Sequence, residues 1–285
     1  MKVILLQLPL QGHDFFFSHE NIPLAAAYLQ VIASRQGADA ELLPNHLMSY
    51  GSDQAILQFL LDAQPDLVGM SCYEWNVERS LSLAKQLKAF LPFCTIVLGG
   101  PEITPDNDFL LRYRGFDIGV VGEGEELWKI LLQSFPDVPQ TPGLLLPGKN
   151  EQWHFTGYLF PRASLDDIPS PFLSGVLDTH LKGVLWLETV RGCVYRCAYC
   201  YYHKQSPGLR TFPIERLLKE VKHAWDCGLQ EIVFLDPCFS KRPHLEDLLD
   251  GVGSINHDRR LRLHGECNVE GIDSHVAEKM ARAGF

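Results

Sequence analysis

The stretch Leu185-Trp186-Leu187-Glu188-Thr189-Val190-Arg191-Gly192-Cys193-Val194-Tyr195-Arg196-Cys197-Ala198-Tyr199-Cys200 begins as an apolar run and ends on three cysteines. Residues 185–190 read as a β-strand that feeds straight into the cysteine loop. Three thiolates so close together can wrap one metal centre only if the loop is compact and its backbone permissive, and Gly192 supplies that freedom. Thiolates are the standard ligands of iron–sulfur clusters, and a fourth usually completes a [4Fe–4S] site. No fourth cysteine stands nearby in the sequence, so one iron would stay open to a substrate. The alternative is a structural zinc site closed by His203 alongside the three cysteines. The position of the motif, at the end of a buried strand in a strand–helix repeat, favours the cluster.

Downstream, residues 213–226 read as a helix with proline near the start and Gly228 just past the end, the expected asymmetry. A strand at 231–235, a helix at 243–251, a strand at 261–266 and a helix at 274–283 follow. These are three strand–helix units of a larger barrel. Three units cannot close one and would leave a sheet edge bare, so the sequence is expected to be a fragment truncated within the barrel.

Upstream, residues 3–8 form a continuous apolar run, the mark of a strand buried on both faces. A helix at 22–36 stops at Gly37, and a weak strand spans 40–43. Then come a helix at 53–63, a strand at 66–71, a helix at 77–90, strands at 94–98 and 117–121, and a helix at 125–134. This alternation predicts an α/β fold with a doubly wound parallel sheet in the flavodoxin-like order 2-1-3-4-5. Ligands of such sheets bind outside the carboxyl ends of the strands. Between 137 and 181 prolines recur, which argues against helix and central strand. That region is expected to be an ordered connector, with a small hairpin from 144–146 and 152–155. The expected division is therefore 1–136, a Rossmann/flavodoxin-like domain; 137–181, the Pro-rich connector; and 182–285, the start of a partial (β/α) barrel.

Composition bounds the partners. The formal charge of −10 argues against a broad nucleic-acid footprint, which needs a basic face. Residues 1–10 lack a small-residue cleavage site and read as a strand, and no segment is apolar for long enough to span a bilayer. A cytoplasmic location is expected, where eight cysteines point to metal or catalysis more than to disulfides. Cys227, Cys238 and Cys267 stand apart from the motif and are expected to be small core residues.

The Cys-x3-Cys-x2-Cys spacing, the preceding Glu188-Thr189-Val190-Arg191-Gly192 and the aromatic Tyr199 resemble the radical S-adenosylmethionine (SAM) superfamily. The resemblance implies that Cys193, Cys197 and Cys200 hold a [4Fe–4S] cluster whose open iron binds SAM. An electron from the cluster then cleaves the sulfonium to methionine and a 5′-deoxyadenosyl radical. By the same resemblance Tyr199 packs on the adenine, and Phe234-Leu235-Asp236 lies near the methionine moiety, with Asp236 accepting from its ammonium. Chemistry alone would make Asp236 a turn or cap residue before Pro237. Glu266, at the end of the third strand, is placed where related enzymes face the cofactor with a polar group.

The N-terminal turns Val97-Leu98-Gly99-Gly100-Pro101-Glu102 and Val121-Gly122-Glu123-Gly124-Glu125 fall at strand carboxyl ends, where glycines let backbone amides approach a ligand. With Pro23-Leu24-Ala25 and Leu165-Asp166-Asp167-Ile168-Pro169-Ser170-Pro171, they are similar to the cobalamin-binding subgroup of radical SAM enzymes. This implies a corrin on the strand ends, facing the cluster, with Ser71, Gly99, Gly100, Gly122, Glu123 and Gly124 as cobalamin contacts. Cys72 and Tyr73 are further cleft candidates. Many cobalamin domains carry Asp-x-His-x-x-Gly after the first strand, whose histidine ligates cobalt. Here that loop reads Gln11-Gly12-His13-Asp14-Phe15-Phe16-Phe17-Ser18-His19, so cobalamin without a histidine ligand is expected. His13 and His19 would then be surface or capping residues, and the three phenylalanines would cover the corrin or fill an interface.

The leading expectation is a radical SAM methyltransferase that uses methylcobalamin on an unactivated carbon or a phosphorus centre. Its substrate would be a small, natural-product-like molecule, and its electron donor a protein such as flavodoxin or ferredoxin. A cyclase or rearrangement enzyme is the alternative, followed by a non-catalytic cobalamin sensor. RNA methylthiotransferases carry three further cysteines in their N-terminal domain, whereas only Cys72 and Cys94 lie there in this chain.

Overall fold

The computed structural model describes residues 1–10, 22–148, 152–161, 164–178, 180–181, 183–200, 202 and 208–285. The expected features at His13, His19, Phe15–Phe17 and His203 lie outside these. The chain separates into two compact units, Met1–Pro161 and Arg162–Phe285.

In the first unit the chain runs β1 (Lys2–Leu6), α1 (Leu24–Arg35), β2 (Asp39–Leu42), α2 (Asn45–Tyr50), α3 (Asp53–Ala63), β3 (Leu67–Ser71), α4 (Val77–Phe90), β4 (Thr95–Gly99), β5 (Ile118–Val120) and α5 (Gly124–Ser134). Strands β1–β5 are parallel and follow the order 2-1-3-4-5. Every residue of the central β3 is buried, as a run with no polar alternation requires. Trp128 of α5 is buried and donates its indole N–H to the carbonyl of Leu29 (3.0 Å), pinning α5 to α1.

The hairpin expected in the connector is present as β6 (Leu144–Pro147) and β7 (Trp153–Phe155). It is not free-standing. Strand β6 pairs antiparallel with β5, so the hairpin extends the parallel sheet and buries Leu144 and Leu145. The segment read as connector thus divides, residues 137–161 belonging to the first unit and the rest to the second.

The second unit contains β8 (Val184–Leu187), β9 (Val190–Arg191), β10 (Arg210–Thr211), α6 (Ile214–Asp226), β11 (Glu231–Phe234), α7 (Leu245–Ile255), β12 (Arg262–Gly265) and α8 (Ser274–Ala283). Strands β8, β11 and β12 form a parallel sheet in the order 12-11-8. Two expectations shift. The strand read at 185–190 breaks at Glu188-Thr189, and β9 turns aside to pair with β10. Helix α7 runs on through Gly251, where a helix end was expected. A Cβ at Gly251 would stand 2.6 Å from Leu218 Cδ2, so this glycine serves the close approach of α6.

Candidate active site

The cysteine loop leaves β9 through Gly192, whose φ is +88°. Cys193 and Cys200 are partly exposed and Cys197 is exposed. The Cys200 N–H donates to the Cys197 carbonyl (3.0 Å), and the Tyr195 N–H points at Cys193 Sγ (3.5 Å). The two thiols of the first unit are instead buried. Burial pushes the Cys72 thiol up to about 12 and the Cys94 thiol up to about 11, so both stay protonated and inert. The donor set therefore fits an iron–sulfur cluster by chemistry and exposure. Among the described residues no three His, Cys, Asp or Glu side chains already converge on a metal position.

Around this loop the strand ends present acids. Glu188, just past β8, pairs with Arg191 (3.1 Å), and Glu266, just past β12, is exposed. The Tyr202 phenol is pushed up first by partial burial and then by the charges of Glu188 and Glu266. Tyr199 is 93% exposed.

Asp236 lies deeper than a ligand contact at a strand end would suggest. It is 1% exposed, and both carboxylate oxygens are engaged within the chain. Oδ1 accepts from the N–H groups of Thr189 (2.7 Å) and Val190 (3.1 Å), and Oδ2 accepts from the Thr189 hydroxyl. Asp236 is not a helix cap. Burial raises its pKa to about 6 against the lowering effect of the Thr189 and Val190 donors. The isolated cysteines also divide. Cys238 is buried as expected, whereas Cys227 and Cys267 are exposed: Cys227 caps the end of α6 and Cys267 lies on the loop past β12.

In the first unit the carboxyl ends of β3, β4 and β5 form a glycine-lined rim. A Cβ on Gly122 (φ +89°) would meet nothing within 4 Å, and one on Gly99 only Val120 Cβ at 3.9 Å. Gly124 opens α5 behind Glu123 at the N-cap. Such bare backbone beside open space is a cradle that a flat ligand could fill. Gly100 is different: its Cβ would stand 2.5 Å from the Cys72 carbonyl oxygen, so it serves the packing of two loops. Ser71 and Cys72 are buried rather than lining an open cleft.

The sequence reading missed Trp75. It is 49% exposed and stacks on Tyr73 (centroids 4.6 Å, 9° between planes), forming an aromatic shelf after β3. The shelf is held by Asn76, 1% exposed, whose amide donates to the carbonyls of Leu8 (2.8 Å) and Ser71 (3.2 Å) and whose oxygen accepts from the Tyr73 N–H (2.8 Å). Replacing Asn76 with alanine is expected to cost about 2–3 kcal/mol, because three backbone groups, two of them bonded in buried surroundings, lose a partner. Urea unfolding of the two proteins checks this.

Taken together, the molecule is an α/β protein with a glycine-rimmed parallel sheet in one unit and a thiol-bearing loop at a strand end in the other. The B12 binding domain family matches residues 17–132, and the Radical SAM superfamily matches residues 187–285. The chain is thus a cobalamin-binding radical SAM protein, a B12-binding domain followed by a radical SAM domain. It is 30% identical over 251 residues (77% of this chain, 35% of the relative) to 2-(S-pantetheinyl)-carbapenam-3-carboxylate methyltransferase of Streptantibioticus cattleyicolor. It is also 30% identical over 225 residues (70% and 32%) to the cobalamin-dependent radical SAM methyltransferase TokK of Streptomyces tokunonensis. The chain spans about a third of the length of these curated relatives. Its fold matches TsrM from Kitasatospora setae, a radical SAM methyltransferase solved with cobalamin and a [4Fe–4S] cluster, with a TM-score of 0.77 at 18% identity, over 99% of this chain and 59% of that one. No helix among the described residues is long and apolar enough to cross a membrane.

Proposed function

We propose that this chain carries the SAM-cleaving and cobalamin-binding machinery of a methyltransferase acting on an unactivated carbon or a phosphorus centre of a small molecule. The observation that carries the reading is the three-thiol loop past β9, with Cys197 exposed and Cys193 and Cys200 partly so, in a chain that also holds a glycine-rimmed B12-binding sheet. When bound, the cluster supplies the electron that cleaves SAM, and cobalamin supplies a methyl carrier. Cys193, Cys197 and Cys200 hold the cluster. Tyr199 offers an exposed ring for the adenine, and the exposed carboxylate of Glu266 takes a polar group of SAM. On the other unit, the backbone at Gly99, Gly122, Glu123 and Gly124 approaches the corrin, with Ser71 and the packed Gly100 behind it. Cytoplasmic residence and an electron donor such as flavodoxin or ferredoxin complete the proposal.

The test is anaerobic reconstitution with iron, sulfide and cobalamin, followed by turnover with SAM deuterated at its methyl group. Labelled product from a small-molecule acceptor is expected. Formation of 5′-deoxyadenosine with no transfer of label to any candidate acceptor would point to ring formation or rearrangement and overturn the methyl-transfer assignment.

A further inference from the structure

The three cysteines lie on a loop closed at its base by the short β9–β10 ladder, which contains two residue pairs. So short a ladder is marginal by itself, and closing the loop costs chain entropy. The base has a second fastening. Asp236, beyond β11, holds the Thr189 and Val190 N–H groups and the Thr189 hydroxyl. The Thr189 carbonyl accepts from the Phe212 N–H (3.0 Å), across the mouth of the loop. The Phe212 carbonyl then accepts from Arg242 Nη2 (3.1 Å). Thr189, Phe212, Asp236 and Arg242 are all buried, so the path from one side of the base to the other is dry.

Burying the Arg242 guanidinium is costly without an ion pair. Among the described residues no carboxylate lies in salt-bridge range of it, and its Nε has no hydrogen-bond partner. Nη1 caps the carbonyls of Pro243 and His244, and Nη2 serves Phe212 alone. The Phe212 ring packs below two further guanidinium groups, Arg216 (4.3 Å to the centroid) and Arg191 (5.6 Å). Both ends of the cysteine loop are therefore gripped from one segment, residues 236–242.

We infer that Asp236 and Arg242 are positioning residues that clamp the base of the cysteine loop, so that Cys193, Cys197 and Cys200 stay close enough to take up a cluster. The inference rests on the reading of those cysteines as cluster ligands, yet the clamp itself can be read without metal.

The experiment is amide hydrogen exchange on the full metal-free chain, comparing wild type with Asp236→Ala, Asp236→Asn, Arg242→Ala and Thr189→Val, followed by iron content after anaerobic reconstitution. Asp236→Ala and Arg242→Ala are expected to speed exchange at residues 189–191 and 210–212 by about tenfold or more, the loss set by an abandoned buried partner. Exchange in α6 and β11 should stay at the wild-type rate, and iron per chain should fall. Asp236→Asn keeps an acceptor for both N–H groups and a donor for the Thr189 hydroxyl, so it should resemble wild type. Unchanged exchange at the loop base, or equal acceleration throughout residues 184–285, would overturn the clamp. If the alanine variants fail to fold, Thr189→Val removes one hydrogen bond only and must show the same local acceleration for the clamp to stand. Failure of the wild type to bind iron would instead remove the cluster assignment, leaving the exchange comparison intact.

Discussion

Replacing Cys197 with alanine should abolish SAM cleavage while leaving both the fold and cobalamin binding in place. The side chain is exposed, so its loss should change stability by no more than about 0.5 kcal/mol. The thiolate is nonetheless one of three in the loop, and the neighbouring sequence offers no fourth to replace it. An iron–sulfur cluster held by two thiolates keeps only half of the four that usually ligate it. Iron and sulfide content, the visible absorbance of the reconstituted protein and 5′-deoxyadenosine formation should therefore collapse together. Thermal unfolding should not move. Cobalamin binding should survive, because the B12-binding match lies in the other compact unit. The outcome separates the two classes of function considered for this chain. A cobalamin sensor would keep its ligand response in the Cys197→Ala protein and would never have cleaved SAM. Retained SAM cleavage by the variant would show that the cysteine loop is not the cluster site.

Much of this architecture is legible in the residues, and the reasons are physical. Strands buried on both faces must be continuously apolar, so residues 3–8 and 66–71 announce a parallel sheet, and the order of strands follows from handed crossovers. The hairpin at 144–155 was visible as a pair of short strands. Its place in the sheet was not, because Pro147 argues against a strand unless it lies at the end, where the structure puts it. Helix α2 left no periodic signal, since only Met48 of its six residues is buried.

The site divides the same way. Local spacing reveals the cysteines, because a cluster needs its ligands on one loop. It cannot reveal Thr189 and Arg242, whose roles arise from residues far away in the chain. Asp236 had a usable signal. Ile232, Phe234 and Asp236 alternate on one face, and the first two are core residues, so parity alone places the carboxylate inward. Resemblance placed it at the end of this strand, and parity adds that it faces inward.

The rim of the first unit offers the other large effect, in two glycines that a sequence cannot tell apart. Gly100→Ala should destabilise the first unit by about 2–4 kcal/mol, because two penalties coincide. Its φ of +107° lies in a region that side chains resist, and the new Cβ would stand 2.5 Å from the Cys72 carbonyl oxygen and 3.0 Å from its nitrogen. That backbone cannot retreat easily, since the Cys72 N–H is bonded to the Gly99 carbonyl (2.6 Å) and β3 is buried throughout. Gly122→Ala carries only the first penalty. Its φ is +89° and its Cβ would enter open space, so the expected loss is about 1 kcal/mol. If that open space is where the corrin rests, the added methyl should weaken cobalamin binding by about tenfold, the scale of a small steric intrusion into a fitted contact. Urea unfolding and a cobalamin titration, run on both variants, separate the two effects. A Gly122→Ala protein that binds cobalamin as tightly as wild type would move the corrin off this rim, whereas a Gly100→Ala protein of unchanged stability would mean that the Cys72 turn can yield.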